Sequence, residues 1–192
     1  KHRLYSELQD LWHKQWSERK QKKEEINASQ TIIQLEIHYK GNKKSYTEFI
    51  KQMFRWTGLR GEKLDKLGSR FSDNIELFNS LENRNNFQDI SLSDNEWLKF
   101  KDRFLEQEEI FCLYRVPELI EIRYDGKPIQ KLSLGQRASS LLLLLLSQEN
   151  TPVIMDQPED DLDNQTVYEG LIKKVLKLKG ERQIIFATHN PN

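Results

Sequence analysis

The chain has 192 residues, with 30 lysines and arginines balanced by 30 aspartates and glutamates, so its formal net charge is zero. That length accommodates one ordinary domain with some chain to spare. The charge balance excludes a globally basic nucleic-acid binder or a membrane-seeking surface, so any binding patch must be local.

The single cysteine, Cys112, rules out an internal disulfide, which favours a reducing compartment or simple indifference, and in its apolar context it reads as core filler of a chain expected to be cytoplasmic. No charged-then-apolar targeting pattern opens the chain. The longest apolar run, Leu141 to Leu146, is far short of the roughly 20 residues of a membrane span, so no membrane partner is expected.

In chain order, residues 1–29 contain no proline or glycine and are rich in lysine, glutamate, glutamine and arginine, which predicts one exposed helix. Leu4, Leu8 and Leu11 step by four and three like a coiled-coil seam, but Gln15 and Glu18 follow where the seam should continue. An amphipathic helix lying on its own domain and a coiled-coil stub both fit this pattern. Residues 30–115 open with alternating Ile33, Leu35, Ile37 and Tyr39, a strand that ends at Gly41-Asn42. The rest of that segment reads as mainly helical. Its aromatics Phe49, Phe54, Trp56, Phe71, Phe78, Phe87, Trp97, Phe100, Phe104 and Phe111 have the helical spacing of core residues. Ser93 with Glu96 forms the pattern of a capping box. Residues 116–192 carry, from Glu118, ELIEIRYDGKPI, a strand, an Asp125-Gly126 turn and a strand.

Beyond the hairpin the order is turn, apolar helix, buried strand, acidic loop, helix closed by Gly180, and a second buried strand. That alternation predicts an α/β fold with a parallel sheet and functional loops at the strand ends. Ser133, Leu134, Gly135, Gln136 and Arg137 stand at the start of the apolar helix. They offer a hydroxyl, free N–H groups, a positive helix end and a guanidinium to a phosphate, although a simple N-cap uses the same residues. In VIMDQPEDDLD, Asp156 ends an apolar strand, where its carboxylate suits a hydrated Mg²⁺. Glu159, Asp160, Asp161 and Asp163 follow, and they would also complement the next helix amino terminus. Thr188 and His189 end the second strand. Beside a phosphate site His189 is a donor, and elsewhere a packed or capping residue.

LSLGQR, VIMDQPEDDLD and IIFATHN, in that order and with a helix between each pair, resemble the signature loop, the Walker B strand with D-loop, and the switch-histidine strand of ABC-type ATPases. The lysine- and glutamate-rich first helix resembles the returning arm of SMC-like repair ATPases. DQPEDDLDN with RQIIFATHNPN is most similar to the bacterial TrlF family, in which a PHP phosphoesterase domain precedes an SMC-like ATPase. The resemblance implies the carboxyl-terminal lobe of an ATPase head, with a parallel sheet flanked by helices, a mainly helical insertion and an amino-terminal coiled-coil stub. It implies ATP and Mg²⁺ as cofactors and a homodimer formed through ATP, with DNA or RNA as the target of repair or phage defence. Asp156 would organise Mg²⁺, while Ser133, Leu134, Gly135, Gln136 and Arg137 would face the nucleotide of the opposite subunit. Gln157, Glu159 and His189 would serve hydrolysis, and Asp163 would couple the two sites.

The chain departs from the family pattern in three ways. Leu134 stands where the signature has its first glycine, and Gln157 stands where the catalytic glutamate is usual. Gln157 cannot act as a carboxylate base but can orient a water. No G-x-x-x-x-G-K-[ST] phosphate loop occurs, and GLRGEKL from Gly58 has the wrong spacing. With no phosphate loop, and with the chain ending three residues after His189, the expectation is a carboxyl-terminal lobe that needs an amino-terminal ATPase lobe to bind ATP well. Three readings follow: half of an ATP hydrolase, a nucleotide-gated clamp with little hydrolysis, or a stand-alone divalent-metal site in the acidic loop.

Overall fold

The computed structural model describes residues 1–29, 32–146, 151–157, 172, 173, 175, 176, 180 and 182–188, except for the side chain of residue 143. The chain divides into two compact units. One comprises residues 1–18 and 37–119, and the other comprises 19–36 and 120–192.

The first unit is helical around an aromatic core. Helix α1 (His2–Ser29) begins in it and is followed by strand β1 (Ile33–His38), which begins in the second unit. Next come α2 (Lys43–Met53), α3 (Gly61–Arg70), α4 (Asn74–Ser80), a 3₁₀ segment (Arg84–Ile90), α5 (Asp94–Glu106) and α6 (Glu108–Leu113). Phe54, Phe71, Phe87, Trp97, Phe100, Phe104, Phe111 and Cys112 are buried together, with Phe49 and Phe78 packed against them. The rings meet edge-on, tilted or stacked at centroid distances such as 4.4 Å for Phe104–Phe111 and 4.9 Å for Phe87–Trp97, which adds quadrupole attraction to the apolar burial. Burial pushes the Cys112 thiol up to about 12, so it is the inert filler that its context predicted. Trp56 departs from the expectation of a core aromatic. It is 88% exposed, because the chain has just left α2 through a left-handed turn.

On α1, Tyr5 and Trp12 face this core, whereas Leu4 and Leu11 of the predicted seam are exposed. Helices α2 and α3 approach so closely that a Cβ on Gly68 would lie 2.8 Å from Thr47 Cβ, so only glycine fits there. The carboxylate of Asp73 is 1% exposed yet fully engaged. It caps α4 by accepting from the N–H groups of Ile75 and Glu76 at 2.9 and 2.8 Å, accepts from Gln9 Nε2 at 2.8 Å, and ion-pairs with Lys40. The Ser93–Glu96 capping box forms as predicted.

The second unit holds two small sheets, so the α/β class read from the sequence is observed. In one, β1, β2 (Leu119–Tyr124) and β3 (Lys127–Pro128) lie in that order. The β2–β3 hairpin is antiparallel, with Tyr124 opposite Lys127. Its turn has φ of 49° at Asp125 and 72° at Gly126, the paired left-handed conformation that Asp-Gly favours and that matches strand twist. In the other sheet, β4 (Val153–Asp156) and β5 (Ile184–Ala187) run parallel, with Val153 opposite Ile184 and Asp156 opposite Ala187. Helix α7 (Leu134–Leu146) supplies Leu142 and Leu146 to a small core with Val153, Met155, Ile184 and Phe186. Residues 172, 173, 175 and 176 are helical, and Val175 joins the same core. No helix among the described residues is long and apolar enough to cross a membrane.

Candidate functional site

The motifs lie at two places in the second unit. The first is the start of α7. Ser133 is its N-cap: the Gln136 N–H donates to Ser133 Oγ at 3.2 Å, and Gln136 Oε1 accepts from the Ser133 N–H at 3.2 Å. This reciprocal pair is a capping box in which glutamine takes the place of glutamate. The serine and glutamine expected to face a phosphate therefore also shape the helix end. Both remain on the surface, as does Leu134 at 76% exposure, whereas Gly135 is buried. Arg137 faces back along the chain, donating from Nε to the Leu132 carbonyl and from Nη2 to the Gln130 carbonyl, both at 2.9 Å. It braces the turn that precedes Ser133.

Behind this end, Ser139 and Ser140 are buried inside α7. Their hydroxyls donate to the carbonyls of Gly135 at 2.7 Å and Gln136 at 2.6 Å, one helical turn back. Small hydroxyl residues on that face satisfy themselves locally and let the helix pack closely.

The second place is the carboxyl end of β4 and β5. Parallel pairing in register sets Asp156 beside Ala187, so Asp156-Gln157 and Thr188 leave the sheet at the same edge. Asp156 is exposed, and its carboxylate has no hydrogen-bond or ion-pair partner among the described residues. Gln157 continues the ladder by donating its backbone N–H to the Ala187 carbonyl at 2.7 Å, and it does so with φ of 44°. A non-glycine residue in left-handed backbone costs on the order of 1 kcal/mol, and such outliers concentrate at functional turns. Glu159, Asp163 and His189, with Asp160 and Asp161, lie outside the described residues. Among the described residues no group of acidic, histidine or cysteine side chains has the arrangement of a metal site.

Arg182 is not among the residues that the sequence motifs single out. It is 9% exposed at the entrance to β5. Its Nη1 donates to the carbonyls of Leu145 and Leu146 at 3.3 Å, and its Nε donates to the Thr151 carbonyl at 2.9 Å. The guanidinium thus closes the carboxyl end of α7, where unpaired carbonyls and the negative helix pole favour a cation. It also ties that end to the chain entering β4. A lone arginine 36 residues downstream carries no local signature of such a cap.

In donor type these residues fit the implied groups. An exposed carboxylate at a strand end suits a hard cation, and a capping hydroxyl with adjacent N–H groups suits a phosphate oxygen. Compared with protein-family models the chain matches none, and no curated protein matches it significantly.

Proposed function

We propose that this chain is the carboxyl-terminal half of an SMC-like ATPase head, one that binds and hydrolyses ATP and dimerises around it to drive a nucleic-acid-directed process such as repair or phage defence. The observation that carries the reading is the in-register parallel pairing of Asp156 with Ala187. It brings the VIMDQ and IIFAT segments out at one sheet edge, as the resemblance requires.

In this proposal Asp156 holds the Mg²⁺, which supplies charge stabilisation to a triphosphate. The amide of Gln157 would orient the attacking water, from a residue whose backbone is tied to β5. The Ser133 hydroxyl and the N–H groups at the start of α7 meet phosphate oxygens of the opposite subunit's nucleotide. Arg137 is better suited to holding that turn, since its guanidinium already serves the Gln130 and Leu132 carbonyls. An amino-terminal lobe would provide the phosphate loop.

The neutral Gln157 favours one second reading, a nucleotide-gated clamp in which dimerisation rather than turnover is the output. ATP hydrolysis by the full-length protein that contains this chain tests both. Asp156→Asn should abolish turnover and Gln157→Ala should cut it at least tenfold. Unchanged turnover in Gln157→Ala and in Glu159→Gln, with ATP-dependent dimerisation intact, would favour the clamp. No ATP binding by the full-length protein would remove both readings.

A further inference from the structure

The turn between α2 and α3 presents a surface that neither core packing nor the nucleotide motifs explain. Trp56 is 88% exposed at φ of 72°, in backbone that disfavours a bulky aromatic and that glycine or asparagine would adopt more readily. Burial does not hold it there. The turn is held by the Thr57 N–H and hydroxyl, which donate to the Phe54 carbonyl at 3.2 and 2.7 Å. The Arg55 guanidinium lies 4.8 Å from the centre of the Trp56 ring, a cation–π pair that keeps the indole oriented.

Arg55 also lines a groove of about 890 Å³ that runs along the exposed face of α2. Lys44, in the first turn of α2, lines it too, and Tyr114 forms a wall by stacking on Phe49 at 3.7 Å. The charges are unevenly matched. Within the groove Lys51 is paired with Asp65 at 2.7 Å and approaches Glu48 at 3.8 Å. Glu62, just beyond the turn, pairs with Lys66 at 3.8 Å. Lys44 and Arg60 have no acidic partner among the described residues, and Arg55 has only the indole.

We propose that the Arg55–Gly61 turn and the adjoining face of α2 bind single-stranded nucleic acid, with a base stacked on Trp56 and neighbouring phosphates held by Arg55, Arg60 and Lys44. An acidic peptide would use the cations but leave the indole face without a role. A duplex keeps its base faces stacked inside. A single strand offers both a flat face and regular negative charge, and stacking on an aromatic side chain is the usual sequence-tolerant way of holding it. The residues of this surface belong to the first unit, and the nucleotide motifs belong to the second.

Anisotropy of a labelled oligo(dT) of about 15 nucleotides, titrated with the 192-residue chain in the absence of ATP, tests this. Binding is expected to weaken about tenfold in Trp56→Ala, to survive largely in Trp56→Phe, and to fall at least as much in Arg55→Ala with Arg60→Ala. It should also weaken steeply with added salt, and circular dichroism should report each variant folded. Absence of binding, wild-type affinity in Trp56→Ala, or displacement of the strand by polyglutamate as readily as by unlabelled oligo(dT) would each overturn the proposal. Because no ATP is present, the outcome is independent of the hydrolysis assay.

Discussion

Gln157 donates its backbone N–H to the carbonyl of Ala187 at 2.7 Å while holding φ of 44°, so the residue that leaves β4 is both tied to β5 and strained. Glycine removes the steric part of that strain and keeps the hydrogen bond. Gln157→Gly should therefore leave stability unchanged or raise it by up to about 1 kcal/mol, measured by urea unfolding. In the full-length protein the same change should lower ATP turnover at least tenfold. A loss of stability would show that the side chain, not only the backbone, holds the strand end.

Ser133 combines a cap with the proposed phosphate contact, and the two roles separate on substitution. Aspartate caps a helix as well as serine does, whereas alanine leaves N–H groups unpaired. Ser133→Ala should cost about 1 kcal/mol and Ser133→Asp close to nothing. Both should lose ATP-dependent dimerisation of the full-length protein, the aspartate variant through repulsion of phosphate. Wild-type dimerisation in Ser133→Asp would reduce Ser133 to a cap.

The carboxyl of Glu96 is held at about 2 by the ammonium of Lys63, 2.7 Å away, and by the hydrogen bond from the Ser93 N–H at 2.9 Å. A carboxyl whose folded value is depressed stabilises the fold above its unfolded value of 4.5. That contribution is lost as pH falls from there toward about 2. Glu96→Gln should thus be less stable than the parent at pH 6, and the gap should close on acidification across this window. Melting temperatures of both proteins between pH 6 and pH 2 check this. A gap that stays constant with pH would mean that the glutamate acts through packing alone.

Arg182 should be among the most sensitive residues of the second unit. Replacing it with methionine keeps much of the stem's packing but leaves the Leu145, Leu146 and Thr151 carbonyls without their donor, at a cost of about 2–3 kcal/mol. Lysine should recover less than half of this, because an ammonium cannot spread donors across three carbonyls as the planar fork does. Urea unfolding of the two variants measures the difference. Equal stability of the lysine variant and the parent would show that charge at the helix pole suffices.

Much of the architecture could be read directly from the residues, because its causes are local. Alternation placed β1, Asp125-Gly126 placed the hairpin turn, Ser93 with Glu96 placed the start of α5, and the apolar stretch ending at Asp156 placed β4. In each case the deciding contacts lie within a few positions along the chain. Other features arise only when distant segments meet. Asp73 is buried yet fully partnered because Lys40, Gln9 and the amino end of α4 converge on it, and Arg182 caps a helix that ended 36 residues earlier. Trp56 shares the helical spacing of the buried aromatics, yet the left-handed turn after α2 carries it to the surface. Gln157 stands out in the sequence for its chemistry, but its left-handed backbone is visible only where its N–H meets the Ala187 carbonyl of β5. Periodicity reports which faces are apolar, but which charge finds a partner and which backbone is strained depend on the three-dimensional meeting of segments that share no local pattern.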